Sequence, residues 1–419
     1  MSSCSWLALA LLGIAVTSAC SASRVTPETV GVTVAPGPCG RGLIVVESDY
    51  QSSNVSLLGF DGSVLSPSLL SSSAKSGGFG LGLSGDVVPP AAATEGSNVV
   101  LIDRTPSGIL RFVDLASAQV AAELPVGAGF RANPHDYLQL NEHKAYVSRY
   151  DSNPSPGSQA WDQGGDILLV DPTVPSITGR IDLAPAMAGE AAQFTPNPGR
   201  LARVGARVFV LLASFADDYL SATSSRLVEL DPDSDAIVST LVLDGLHGCD
   251  ALALGPDGSE LAVACTGGDT LDPVPQIDAA GLALIDVSAQ PRIRQRIPAR
   301  TFGSNPLGFG IDYLAPNVLV FVTLGYLGDS AGTGSLDTLV RLDTSSAKFD
   351  EVLRSQSLPF SLGDVRCAAE CGACFVADAE RSGGSVLRFP IDDRQALGNA
   401  REIRAETQIG LPPRYLGAF

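Results

Sequence analysis

Short runs of alternating apolar and polar residues, broken by turn-forming residues, recur along almost the whole chain. Their period of two is that of half-buried β-strands. In "ALGPDGSELAVACTGGDTLD", residues 252–271, the stretch Pro256-Asp257-Gly258-Ser259 is a tight-turn signal between Asp250–Leu254 and Glu260–Ala264. The pattern predicts a hairpin of two short antiparallel strands. Two strands cannot bury a face on their own, so the hairpin must belong to something larger.

Similar hairpins repeat, and the clearest register mark is an Asp closing a short apolar strand. It occurs in "LLGFD" (Asp61), "LRFVD" (Asp114), "ILLVD" (Asp171), "LVELD" (Asp231), "LALID" (Asp286), "LVRLD" (Asp343) and "RFPID" (Asp392). The seven marks lie about 49 to 60 residues apart, a repeat period of the kind built from one small sheet per unit. Turn residues and another short strand follow each mark. Upstream lies a further strand, such as "GLIVVES", "KAYVSR", "ELAVAC" or "NVLVFVTL", and before most of these a weaker one, such as "HDYLQL" or "CDALAL". In the second period the innermost strand is hard to place within residues 77–95. Four strands per period repeated seven times predict an all-β, seven-bladed β-propeller over residues 42–419. The first period lacks its first strand, and "LPPRYLGAF" at 411–419 is left over. That segment is expected to complete blade 1 from the C-terminus, removing the free sheet edges of an open array.

"GILRFVDLASAQVAAELPVG" followed by "NPHDYLQLNEHKAYVSRYDSN", and "PDGSELAVACTGG" with "GLALIDVSAQPRIRQRI", resemble the YVTN family of β-propeller repeats, and Tyr146-Val147-Ser148 is the nearest match to the naming motif. The resemblance implies a fold and leaves activity open.

"WLALALLGIAVTSAC", residues 6–20, is an apolar run too short for a comfortable membrane span and reads as a secretion signal. Thr17-Ser18-Ala19-Cys20 resembles a bacterial lipobox, which implies acylation of Cys20; ordinary cleavage nearby, for instance after Ala22, is the other reading. The expected organisation is a signal peptide over 1–19, a lipid-bearing Cys with a flexible tether over 20–41, and the propeller beyond. Ser21, by the same resemblance, implies sorting to the outer membrane. The membrane is then met only through that lipid, and a monomer is expected.

Composition adds little until charge is considered. The chain has 419 residues, only 17% of them charged, and a formal net charge of −18. That balance argues against nucleic-acid or anionic-membrane partners, both of which need a basic surface. Cys4 leaves with the signal and Cys20 carries lipid, so six cysteines remain, compatible with disulfides outside the cytoplasm. Cys249 and Cys265 are nearly symmetric about the Pro256–Ser259 turn, and Cys367 and Cys374 stand in a similar relation in blade 7. Cys39 precedes the second strand of blade 1 and Cys371 lies at the adjacent blade's hairpin turn, so a bond between them would staple the tether to the closure point. Cys367, Cys371 and Cys374 also have the spacing of a radical-SAM iron–sulfur motif, but that motif belongs to a barrel loop foreign to an exported β protein. A zinc site lacks a nearby His.

Loops joining the second and third strands are long: 149–166, 214–225, 266–281 and 325–337. They share one face with the inter-blade links, and function concentrates on such loops. Each blade places an Asp shortly after its second strand: Asp49, Asp103, Asp151, Asp217 with Asp218, Asp269, Asp329 and Asp378. An Asx turn explains an Asp at a strand exit, and a ring of carboxylates could instead hold Ca²⁺. His135 and His247 each precede a first strand and are candidates for the channel mouth on this face, as is Trp161 in the first long loop. No nucleophile elbow, phosphate-binding loop or zinc-protease motif occurs. The expectation is a non-catalytic binding or scaffolding module for a protein or a polar small molecule. A lactonase-type hydrolase with its site at the channel mouth is the alternative.

Overall fold

The computed structural model describes residues 29–73, 82–268, 276–328 and 334–419; the signal peptide and Cys20 lie outside them. Seven four-stranded antiparallel sheets form the molecule, each running from an inner strand to an outer one. Inner strands of successive blades pack against one another around a central channel. The fold is an all-β, seven-bladed β-propeller. As expected, the C-terminus closes the ring. Pro413–Ala418 is the inner strand of blade 1, pairing Leu43 with Ala418 and Val46 with Tyr415. The inner strand of blade 2, the one that resisted placement, is only Val87–Val88.

Burial follows position in the blade. The second strands of blades 1, 6 and 7, Leu43–Ser48, Val318–Thr323 and Ala373–Asp378, are buried at every residue because a neighbouring sheet covers each face. Outer strands such as Ala236–His247 alternate exposed and half-covered positions over much of their length. The seven register aspartates have a common physical cause. Asp61, Asp171, Asp231, Asp286, Asp343 and Asp392 each accept the backbone N–H two residues on, and Asp114 that of Ser117. Each carboxylate thereby holds the turn between third and outer strand as an Asx turn.

Three disulfides form. Cys249 and Cys265 face each other across the blade 5 hairpin with Cα atoms 3.8 Å apart, and Cys367 and Cys374 across that of blade 7 at 4.0 Å. Both separations are shorter than the roughly 4.4–6.8 Å usual for a disulfide. Cys39 and Cys371 are joined at 6.2 Å. The tether reading needs correction over residues 29–41, which lie along the propeller. The Val30 N–H donates to Ser68 O at 2.9 Å, that of Val32 to Leu115 O at 2.7 Å, and that of Arg41 to Phe419 O at 2.7 Å. An extended segment can use the open edges of strands and links, which its Thr-, Pro- and Gly-rich composition does not reveal. Among the described residues, no helix is long and apolar enough to cross a membrane.

Candidate functional site

Because strands alternate in direction, the second-to-third connections and the inter-blade links emerge on one face. Between blades 3 and 4 they enclose a cleft of about 680 Å³. Phe130 and Arg131 come from the link into blade 3, Asp151 from that blade's long connection, and Asp217 and Tyr219 from the connection of blade 4. Two polar residues hold these loops in place. Asn197 accepts the Phe215 N–H at 2.8 Å and donates to Tyr150 O at 3.2 Å, tying the link before blade 4 to both neighbouring loops. Buried Asp162 accepts the N–H groups of Gly157, Ser158 and Gln159 and organises the loop after Asp151. Asn133, Asn197, Ser214 and Tyr219 all have φ between 46° and 61°, a left-handed conformation that the surrounding contacts must sustain.

A stack of rings runs from the cleft to the inner strand of blade 3. His135, on the inner strand of blade 3, lies 4.1 Å from the Tyr150 ring at 18°, and Tyr150 lies 6.3 Å from Tyr219 at 5°. Tyr219 donates its hydroxyl to Asp151, and Tyr150 donates to Asp250 Oδ2 at 3.3 Å. Burial, with the positive charges of Arg104 and Arg200 nearby, holds the His135 imidazole well below its usual range, so it is neutral near pH 7. Burial raises the Asp151 carboxyl, against the hydrogen bond from Tyr219. Asp250 is pushed up to about 6 by burial, which outweighs Tyr150, Arg200 and Arg104. Its Oδ1 is buried without a hydrogen-bond partner among the described residues, as is Arg200 Nη1.

The remaining sequence candidates scatter. Asp49 and Asp378 cap turns through backbone N–H groups, and Asp218 accepts that of Leu220. Asp103 is a buried partner of Arg111. Asp269 and Asp329 lie outside the described residues. Trp161 packs against the apolar cluster shared by blades 2 and 3. His247 ends the outer strand of blade 4, near Asp244 and Glu190, and shares no contact with His135. Among the described residues no group of three or more His, Cys, Asp or Glu side chains is placed to hold a metal ion.

The sequence reading missed the aspartates of the inner strands. Asp136 accepts the N–H groups of Ala91 and Leu201, Asp312 that of Cys367, and Asp364 that of Leu416, each joining the inner strands of adjacent blades. Asp250, on the inner strand of blade 5, makes no such bond, and a Cβ at Gly199 would stand only 3.2 Å from its Oδ1. The signal was present in "HDY", "CDA", "IDY" and "GDV", one Asp in each of four inner strands. A second cavity of about 460 Å³ opens at the other channel mouth, beside Cys39. Three of its polar groups have partners: Asp312 accepts backbone N–H groups, Arg366 donates to Leu416 O, and the Tyr313 hydroxyl donates to Glu260 at 2.7 Å, while Glu370 is exposed.

No protein-family model matches the chain, and no curated protein matches it. Solved structures share the fold. A Bacteroides fragilis protein assigned as a 6-phosphogluconolactonase is 11% identical, with a TM-score of 0.54, over 91% of this chain and 99% of that one. The Pseudomonas aeruginosa periplasmic gluconolactonase PpgL is 13% identical, also with a TM-score of 0.54, over 90% and 98%. The β-propeller domain of Myceliophteria thermophila Cps50 (Swd1) is 13% identical, with a TM-score of 0.50, over 84% and 97%. At such identities the likeness concerns the fold alone.

Proposed function

We propose that this chain is an exported propeller, anchored to the outer membrane through lipid on Cys20, that binds a small polar ligand non-catalytically in the cleft between blades 3 and 4. The observation that carries the ligand reading is the cleft's open polar lining. Arg131 and the Asp217 carboxylate form no hydrogen bond or ion pair with the described residues. Both groups are exposed, so water meets them in the free protein, and a ligand seated in this cavity of small-molecule size can take the place of that water. The test is a screen of small polar compounds by thermal shift against wild type and Asp217→Ala. At least one compound should raise the melting temperature of wild type and lose its effect in the variant. If no compound does so, the reading falls. The anchor is tested separately: the mature protein should partition into detergent, and Cys20→Ala should release it. An unmodified N-terminus at Ser21 or Ser23 would defeat the anchor.

A hydrolase of lactone type is the second reading, favoured by Asp250. This carboxyl departs from the bridging role of Asp136, Asp312 and Asp364, and its raised range suits proton transfer near neutral pH. Hydrolysis of δ-gluconolactone above the uncatalysed rate, abolished in Asp250→Asn, would replace the binding reading with this one.

A further inference from the structure

The lining of the same cleft also restricts the chemistry of its ligand, and this inference rests on the binding reading above. Arg131 brings one positive charge, while Asp151 and Asp217 bring two negative ones, in a chain of net charge −18. An anion would gain Arg131 but face both carboxylates, whereas a cation would gain both carboxylates and face only Arg131, so the lining disfavours an anion most. A neutral hydroxyl escapes both penalties, because it donates and accepts at once. Neighbouring hydroxyls can donate to the open carboxylate of Asp217 and to the lone pairs that Asp151 keeps beside its Tyr219 and Asn133 hydrogen bonds, and accept from the N–H fork of Arg131.

The walls fit the rest of such a molecule. Tyr219 is 37% exposed and lines the cleft. Its ring is backed by Tyr150 and by Phe215, whose centroid is 5.8 Å away, and its hydroxyl is fixed on Asp151. It is therefore a rigid platform. Phe130, held beneath the Arg149 guanidinium at 5.4 Å, adds a second apolar surface. An aromatic platform ringed by charged hydrogen-bonding groups matches a saturated ring with a C–H face and hydroxyls at its rim. Volume sets the orientation. The cleft lies within the roughly 300–1,000 Å³ of small-molecule sites. Beside Arg200, Leu252, Phe309 and Asp364, by contrast, a pocket in the channel holds only about 10 Å³, room for about one water. That pocket has no room for a sugar, so a longer ligand extends outward past the rim of the cleft. We infer that the cleft binds a neutral pyranose, either a free sugar or the terminal unit of a glycan, with its ring on Tyr219 and its hydroxyls on Asp151, Asp217 and Arg131.

Saturation-transfer NMR on the full chain tests this. The neutral probes are methyl α-D-glucopyranoside, methyl α-D-galactopyranoside, methyl α-D-mannopyranoside and cellotetraose; the charged ones are the anions D-glucuronate and D-glucose 6-phosphate and the cation D-glucosamine. At least one neutral probe should receive transfer at its ring hydrogens. Tyr219→Ala should weaken it about tenfold, and Tyr219→Phe, which keeps the ring, should weaken it much less. Melting temperature and circular dichroism report whether both variants fold. Tighter binding of the tetrasaccharide points to a glycan end, and equal binding to a free sugar. Tighter binding of the charged probes, lost in Tyr219→Ala, would overturn the neutral-sugar inference and leave the cleft a ligand site. Transfer unaffected by Tyr219→Ala, or no sugar binding at all, would also overturn it. The broader reading fails only if the small-molecule screen with Asp217→Ala also yields nothing.

Discussion

Polar side chains are treated in opposite ways in two regions of this propeller. In blade 1, Glu47, Asn54, Ser56 and Ser68 are buried, and they satisfy one another. Asn54 Nδ2 donates to Glu47 Oε2 at 2.6 Å and to Pro67 O at 3.0 Å, Ser56 donates to Glu47 at 2.8 Å, and Ser68 donates to Asn54 Oδ1 at 2.8 Å. At the rim of blades 3 and 4, Arg131 and Asp217 stand open to the cleft. A buried polar group with all its partners specifies structure, whereas an exposed one beside a cavity is left free for water or a ligand. Blade 1 is assembled from both parts of the chain, and its polar network sits beside that join. Blades 3 and 4 are each continuous in sequence and are free to elaborate their loops.

If blade 1 carries the closure, removing residues 411–419 should have the largest effect. The inner strand, with buried Leu416 and Phe419, is lost and the inner edge of Leu43–Ser48 is left unpaired at the join. Calorimetry should show no cooperative transition comparable to that of the full chain, and an unchanged melting curve would break the comparison.

The closure disulfide comes next. Cys39 and Cys371 are 332 residues apart in sequence, against 16 for Cys249 and Cys265. By loop entropy the first should contribute about 6 kcal/mol and the second about 3 kcal/mol. Paired serine substitutions, compared by denaturant unfolding, should therefore cost more at 39 and 371. The opposite order would mean that strain or residual structure outweighs loop length.

Glu47 offers a smaller, pH-dependent test. Burial pushes its carboxyl up to about 8, against the hydrogen bonds from Asn54 and Ser56, with the Glu406 charge adding to the rise. The native state thus keeps a proton that an unfolded glutamate releases near 4.5. The stabilisation is complete below that value and is lost as pH rises through 8, by up to about 1.4 kcal/mol per unit. Glu47→Gln should flatten stability between pH 5 and 8 relative to wild type. Parallel curves would show that Glu47 does not titrate in this window.

The smallest structural effect is expected at the cleft. Asp151→Asn and Asp217→Asn should change stability by no more than about 0.5 kcal/mol, because neither carboxylate is part of the blade framework. Unfolding of either variant would place these residues with Asp49 and Asp378 as turn-formers and erase the distinction between the two regions.

The architecture was largely legible in the chain because its causes are local. Alternation gave the strands, and the spaced aspartates gave seven units, since each closes an Asx turn within three residues. The symmetric cysteines gave the hairpin bridges, because antiparallel register follows from the turn. Even the closure could be read, as the count of strands left one over. Cleft and channel were not legible in this way. Arg131, Asp151, Asp217 and Tyr219 belong to three separate loops, and only the packing of blade against blade brings them together. The aspartates after each second strand look alike in sequence, yet Asp103 is paired with Arg111, Asp49 caps a turn, and Asp151 holds a tyrosine. Burial and neighbours assign those roles, and both are properties of the closed ring.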